Sequence, residues 1–151
     1  MTEDEIQPGE RIRAVAAVEV LLRVWRHAVD CFPDDDLETI LVYLTVAAAS
    51  ASSHLRDPAL ILSLDNGPLP DHLHRPTSGR AVAEATGLAR ETVRRRIDAL
   101  VASGRLVREA GGVRTVTDTL SLNRNQEFAR LVTRELLAAR DRLRRFDPAS
   151  P

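Results

Sequence analysis

The side chains best suited to chemistry in this chain are arginines, and they cluster. Arg80, Arg90, Arg94, Arg95, Arg108 and Arg114 all fall between residues 77 and 117, with Ser78 and Thr92 among them. A guanidinium presents a planar fork of donors that matches a phosphate or a carboxylate bidentately. All 21 basic residues of the protein are arginine and none is lysine. Schiff-base chemistry, a phosphate-loop lysine and a Ser–Lys pair are therefore excluded.

The other candidate groups carry less. His27 and Cys31 stand four apart on a helical pattern, half of a metal site that His72 and His74 would have to complete. A zinc ion takes four ligands, or three and a water, and a small buried apolar role for Cys31 is the favoured reading. Asp34, Asp35 and Asp36 read as helix-capping acids rather than a cation site. Trp25 and Tyr43 read as core residues rather than the walls of an effector pocket, and any small-molecule effector is unknown. No nucleophile–base motif, HExxH or glycine-rich phosphate loop is present. The reading is of a protein that is not an enzyme and carries no cofactor or metal.

The charge distribution sharpens the arginine signal. The net charge is −1 over 151 residues. Residues 1–36 hold nine acids against four arginines, whereas residues 76–116 hold eight arginines against four acids. An acidic front and a basic back point to an anionic partner for the back. Apolar residues are 44% and charged residues 28%, the balance of an ordinary globular chain. Aromatics are only 3%, so the core must be Leu, Val, Ile and Ala, which suits helix-on-helix packing. The early acids Glu3, Asp4, Glu5 and Glu10 argue against a signal peptide. The longest uncharged run, Thr39 to Leu55, is too short and too polar to span a bilayer, which needs about 20 apolar residues. A cytoplasmic location with no membrane partner is expected.

The elements that must position the arginines follow from periodicity. Ile12, Val15, Val18, Leu22, Trp25, Val29 and Phe32 form one helical stripe that Pro33 ends. A second helix carries Leu37, Ile40, Leu41, Leu44, Ala47, Ala48, Ala51 and Leu55. A short helix is predicted over 59–64, after the Asp57-Pro58 start signal. The Pro- and Gly-rich stretch 65–76 is read as a linker. A short helix capped by Thr77 or Ser78 then runs to Thr86, Gly87 breaks it, and a second helix runs from Ala89 to Ser103 before Gly104. Two β-prone runs flank Gly111-Gly112, a hairpin signal. Asn123 and Gln126 read as a capping box opening a last helix, with Phe128, Leu131, Val132, Leu136, Ala139, Leu143 and Phe146 on one side. At about 100° per residue, Val93, Ile97 and Leu100 fall on one side of their helix, with Glu91, Arg95 and Asp98 opposite. Val82, Leu88, Val93, Ile97 and Leu100 are expected to share a small core.

The stretch TSGRAVAEATGLARETVRRRIDALVASGRLV resembles the winged helix-turn-helix of bacterial transcriptional regulators of the GntR, MarR and IclR kind. The likeness covers residues 77–117 and is closest to the GntR type in Leu88-Ala-Arg-Glu-Thr-Val-Arg94. It departs at Ala89, where a serine cap is common. The resemblance implies that Arg90 and Arg94 contact bases or phosphates and that Thr92 contacts the DNA backbone. Arg80, Arg108 and Arg114 are placed to reach flanking phosphates, and Ser78 and Arg95 complete the expected contact set. The expected fold is therefore mainly α: a winged helix-turn-helix (77–117) with a two-stranded hairpin wing, an N-terminal helical region (1–64), the linker (65–76) and a C-terminal helix (118–151). The expected function is sequence-specific binding of double-stranded DNA by a bacterial-type regulator. The alternative is a winged-helix module that binds protein and never DNA. The surplus apolar surface predicts a homodimer through the first and last helices, against a monomeric bundle.

Overall fold

The computed structural model describes residues 9–52, 57, 59, 62, 70–116 and 123–145. It is mainly helical with one antiparallel hairpin. In chain order the elements are α1 (Glu10–Cys31), α2 (Leu37–Ala51), a single 3-10 turn (Asp71–Leu73), α3 (Gly79–Thr86), α4 (Arg90–Ala102), β1 (Leu106–Glu109), β2 (Gly112–Thr115) and α5 (Asn123–Arg144). The chain forms two compact units, one of residues 1–31 with 126–151 and one of residues 32–125. The helix expected over 59–64, most of the 65–76 linker, the side chain of Asn123 and Phe146 lie outside the described residues.

The unit of residues 32–125 is built around α2, which packs against α3, α4 and β2. Asp36 caps α2, its carboxylate accepting from the Thr39 backbone N–H at 2.9 Å and from the Thr39 hydroxyl at 2.7 Å. Phe32, Ile40, Val42, Val46, Val82, Val93, Leu100, Leu106 and Val113 are buried to within 2% of complete. The side of α2 that faces this core carries Ile40, Val42, Tyr43 and Val46, whereas Leu37 is exposed. The expected stripe is thus shifted. Apolar residues ring α2 on every side, so its periodicity alone selects no face. In the predicted shared core, Val82, Val93, Ile97 and Leu100 are buried and Leu88 is half-buried.

Gly87 closes α3 in the left-handed region at φ 71°, donating its N–H to the Ala83 carbonyl at 2.9 Å, and the chain turns directly into α4. A residue with a Cβ would pay a strain there that glycine does not. The hairpin pairs Leu106 with Thr115 and Glu109 with Gly112, so its two-residue turn is Ala110-Gly111 and not the expected Gly111-Gly112. Gly112 instead opens β2, and a Cβ on it would lie 2.0 Å from the Thr77 carbonyl oxygen. That approach exists because Thr77 bridges to Val113, with N–H to O distances of 2.8 and 2.9 Å. The segment leading into α3 is thereby stitched to the hairpin. Ser50 adds a second stitch, its hydroxyl accepting from the Thr115 N–H at 3.3 Å.

The other unit contains α1 and most of α5, running antiparallel. Glu135 lies 3.7 Å from Arg23 and 3.5 Å from His27, while Glu127 acts on the thiol of Cys31. Val20, Ala28, Cys31 and Ala139 are buried, and burial pushes the Cys31 thiol above its ordinary pKa. Phe128, Leu131, Val132 and Leu143 are half-buried on α5, and Leu136 is exposed.

Candidate nucleic-acid interface

The outer surface of α3, α4 and the hairpin holds the arginine cluster. Ser78 is the N-cap of α3 and accepts from the Ala81 N–H at 3.1 Å, so its hydroxyl is already committed to the helix. Arg80, the second residue of α3, is exposed and pairs with Glu84 at 2.7 Å. Ala89 stands at the N-cap of α4 with no side-chain cap bond. The first N–H groups of α4 are thus left without a capping oxygen, at the positive end of the helix dipole. Arg90 and Arg95 are exposed and form no ion pair with any carboxylate among the described residues. Thr92 is half-buried in the first turn.

Arg94 is exposed and held on both sides. Its guanidinium donates to Glu91 at 2.5 and 2.9 Å and to Asp98 at 3.2 Å. That hydrogen bonding lowers the Glu91 carboxyl pKa and raises that of the guanidinium. Asp98 also binds Arg108 of β1, so one carboxylate joins the helix to the hairpin. Arg80, Arg90, Arg94 and Arg108 surround an open concavity of about 240 Å³ whose floor is Gly79, Ile97, Gly112 and Val113. Two glycines in that floor keep the backbone accessible between the guanidiniums. The fold therefore brings together four arginines from three elements.

Arg114 departs from the expectation. Its side chain is only 9% exposed and is held by Asp71 at 2.8 Å and Glu109 at 2.6 Å, which raise its pKa. Its Nη1 also donates to the carbonyl of Thr115 at 3.0 Å. Antiparallel pairing places Arg114 opposite Val107 and Arg108 opposite Val113. Neighbouring positions on one ladder alternate faces, so the two arginines point to opposite sides of the hairpin. Arg114 anchors the 3-10 turn to the hairpin and leaves the contact set.

Two further arginines act inside the unit. Arg96 reaches Asp36 at 2.6 Å and Glu38 at 2.7 Å on α2. Burial opposes ionisation of Asp36, but the Thr39 hydrogen bonds and Arg96 outweigh it and hold the carboxyl below its ordinary pKa. Arg105 binds Asp35 at 2.6 Å and stacks over the Tyr43 ring at 5.3 Å. Tyr43 in turn accepts from Asn125 at 2.9 Å, and burial raises its phenol pKa. The acidic run 34–36 thus uses two of its three members as structural partners for arginines.

His74 is buried, with Nδ1 3.2 Å from the Thr115 hydroxyl, in a structural position. Among the described residues no group of three or more His, Cys, Asp or Glu side chains is placed to hold a metal ion. No described helix is long and apolar enough to cross a membrane. No known family model matches the chain, and neither a curated protein nor a solved structure matches it.

Proposed function

We infer that this protein is a sequence-specific DNA-binding regulator of bacterial type, using a winged helix-turn-helix made of α3, α4 and the β1–β2 hairpin. The observation that carries the reading is the convergence of Arg80, Arg90, Arg94 and Arg108 on one concavity beside the open N-terminus of α4. The N-terminal part of a recognition helix enters the major groove in such motifs. Arg90 and Arg95, which form no ion pair among the described residues, take the role of reading base edges, where a bidentate arginine–guanine pair discriminates. Arg80 and Arg108, on the flanking elements, take phosphates. The protein acts as a homodimer, which presents two recognition helices to one duplex and raises avidity.

One observation favours a second reading, a winged-helix module that docks on protein and not on DNA. Arg80, Arg94 and Arg108 each already have a carboxylate partner, so the face is less basic than its arginine count. Filter binding to a double-stranded DNA pool at several salt concentrations decides between them. The DNA reading expects log affinity to fall linearly with log salt, by about 0.9 per phosphate neutralised. Absence of salt-dependent duplex binding overturns it and leaves the protein-docking reading.

A further inference from the structure

The face of α1 that packs in its own unit and the face that is most apolar are different faces. Val20, His27, Ala28 and Cys31 turn inward in the unit shared with α5. Val15, Val18, Leu22, Trp25 and Val29 lie on the opposite side, at about 100° per residue. Their spacing is three, four, three, four, the a/d pattern of a coiled-coil seam. Val15 is 61% exposed, Val18 56%, Leu22 61% and Val29 38%. A continuous apolar stripe of this size on a soluble protein marks a contact surface.

The flanks of the seam indicate what covers it. On one side stand Glu19 and Arg26, one heptad apart and both exposed, each also near an opposite charge on its own helix, Arg23 at 3.6 Å and Asp30 at 3.1 Å; on the other stands Leu21. In an antiparallel pair of identical helices each flank meets its own counterpart. The register that puts Leu22 across from Trp25 and Val18 across from Val29 also brings Glu19 of one copy to Arg26 of the other. Two-fold symmetry makes that ion pair twice. On the opposite flank Leu21 is 66% exposed, whereas Ala28 is buried inside its own unit and takes no part in the seam. A parallel pairing lacks that charge complementarity. It sets each core residue against itself and puts Arg26 across from the apolar Leu21.

We propose that the outer seam of α1, centred on Leu22 and Trp25, is an antiparallel self-association surface whose occupant is α1 of a second copy of this chain. The proposal deepens the homodimer reading by assigning it to one face of one helix, and it is independent of whether the protein binds DNA. Leu22 to Trp25 forms the central layer, and the Glu19–Arg26 pairs select the direction. Exposed ion pairs of this kind fix orientation more than they add affinity.

Sedimentation equilibrium of the full chain tests it, with helicity followed by circular dichroism. The wild type is expected at twice the 16.7 kDa chain mass. Leu22→Glu places two carboxylates in the centre of the seam and should weaken the dimer by at least roughly 100-fold while leaving the helix content unchanged. Leu136→Glu, at an exposed position of α5, should leave the dimer intact. Arg26→Glu should weaken it by about three- to tenfold, and Glu19→Arg with Arg26→Glu should restore it. A wild type that stays at one chain mass overturns the seam and the homodimer together. A dimer broken by Leu136→Glu and not by Leu22→Glu overturns the seam alone. Failure of the double charge exchange to restore what Arg26→Glu loses overturns the antiparallel register. The emission of Trp25, the single tryptophan, should shift to the blue as concentration crosses the dissociation constant.

Discussion

In the unit of residues 32–125 the large apolar side chains of three helices and a hairpin meet and close: Phe32, Ile40, Val82, Leu100 and Val113 are all buried. In the α1–α5 unit the inner face is lined by Val20, Ala28, Cys31 and Ala139, while Ile12, Val15, Val18, Leu21 and Leu22 are more than half exposed. The first unit spends its apolar surface on itself, and the second keeps much of it outside. The same division runs through the charges. In residues 32–125 the inward arginines, Arg96, Arg105 and Arg114, bind acids distant in sequence, and the outward ones stand around a cleft. A body with a closed core and a cleft lined by arginines is thus joined in one chain to a pair of helices that leave much of their apolar surface outside.

The largest effect that separates the two units is in stability. Leu100→Ala removes a fully buried side chain that α4 presents to the core, and it should cost about 2–5 kcal/mol in urea unfolding. Leu22→Ala removes the same atoms from an exposed seam and should change the unfolding of the monomer by less than about 0.5 kcal/mol. Its effect should appear only in the concentration dependence of assembly. If both substitutions destabilise a dilute sample equally, the contrast between a closed core and an open seam is wrong.

The next contrast lies within the arginine cluster. Arg90→Ala and Arg94→Ala should each weaken specific duplex binding by roughly 10- to 100-fold with unchanged melting temperature. Arg114→Ala should behave in the opposite way. It removes the tie between the hairpin and Asp71 and should cost about 1.5–3 kcal/mol of stability. At temperatures where the variant remains folded, its DNA affinity and salt slope should match the wild type. A flattened salt slope for folded Arg114→Ala would return that residue to the phosphate-contacting set.

These contrasts also mark what could be read in the chain beforehand. The helices α3 and α4, and the core positions Val82, Val93, Ile97 and Leu100, were legible because Gly87 and Gly104 punctuate them and their spacing is helical. The coarse mainly-α architecture with a hairpin followed from the same local signals. The working face of α2 was not legible, because Val42, Tyr43 and Val46 compete with equally apolar neighbours on all sides. Arg108 and Arg114 looked alike in the sequence. Strand alternation sends them to opposite faces, and one of the two acids that hold Arg114, Asp71, lies 43 residues away. Asp35 and Asp36 read as capping acids, yet their arginine partners on the chain's far side carry no local signature. The bridge from Thr77 to Val113, which makes Gly112 indispensable, is likewise a long-range contact. Short-range periodicity can nominate a face, but only the assembled unit decides which nominated residues are used inside.

A smaller effect distinguishes structural acids from surface ones. Asp36→Ala removes the N-cap of α2 and a partner of Arg96, and should cost about 1–2 kcal/mol. The carboxyl pKa of Asp36 is lower in the folded protein than its ordinary value near 3.8. A group of that kind stabilises the fold at pH above its unfolded pKa, and the contribution disappears as pH falls through the lower folded value. The stability difference between wild type and Asp36→Ala should therefore be constant at neutral pH and shrink only below about pH 4. A difference that already shrinks between pH 7 and 5 would assign the effect to another group.

The smallest expected effect concerns Asp98, and it probes how the cleft is held before anything binds. Asp98 bridges Arg94 of α4 and Arg108 of β1, and all three side chains are about half exposed. Exposed ion pairs contribute little stability, so Asp98→Asn should leave the melting temperature unchanged. The two guanidiniums would then lack their shared anion, leaving Arg94 with Glu91 alone and Arg108 without its Asp98 partner. A DNA phosphate offers the same pair of acceptor oxygens, and binding it would no longer require displacing a carboxylate. Asp98→Asn should therefore tighten binding to random-sequence duplex by about three- to tenfold at low salt, with a smaller gain at high salt. Asp141→Asn makes the same charge change on α5, beside Arg140 and outside the cluster, and should alter binding by less than about twofold. Arg108→Gln should cost more affinity in the Asp98→Asn background than in the wild type, because there no carboxylate competes with the duplex for its guanidinium. If Asp98→Asn and Asp141→Asn shift affinity equally, the effect is one of net charge alone, and Asp98 has no particular hold on the cleft.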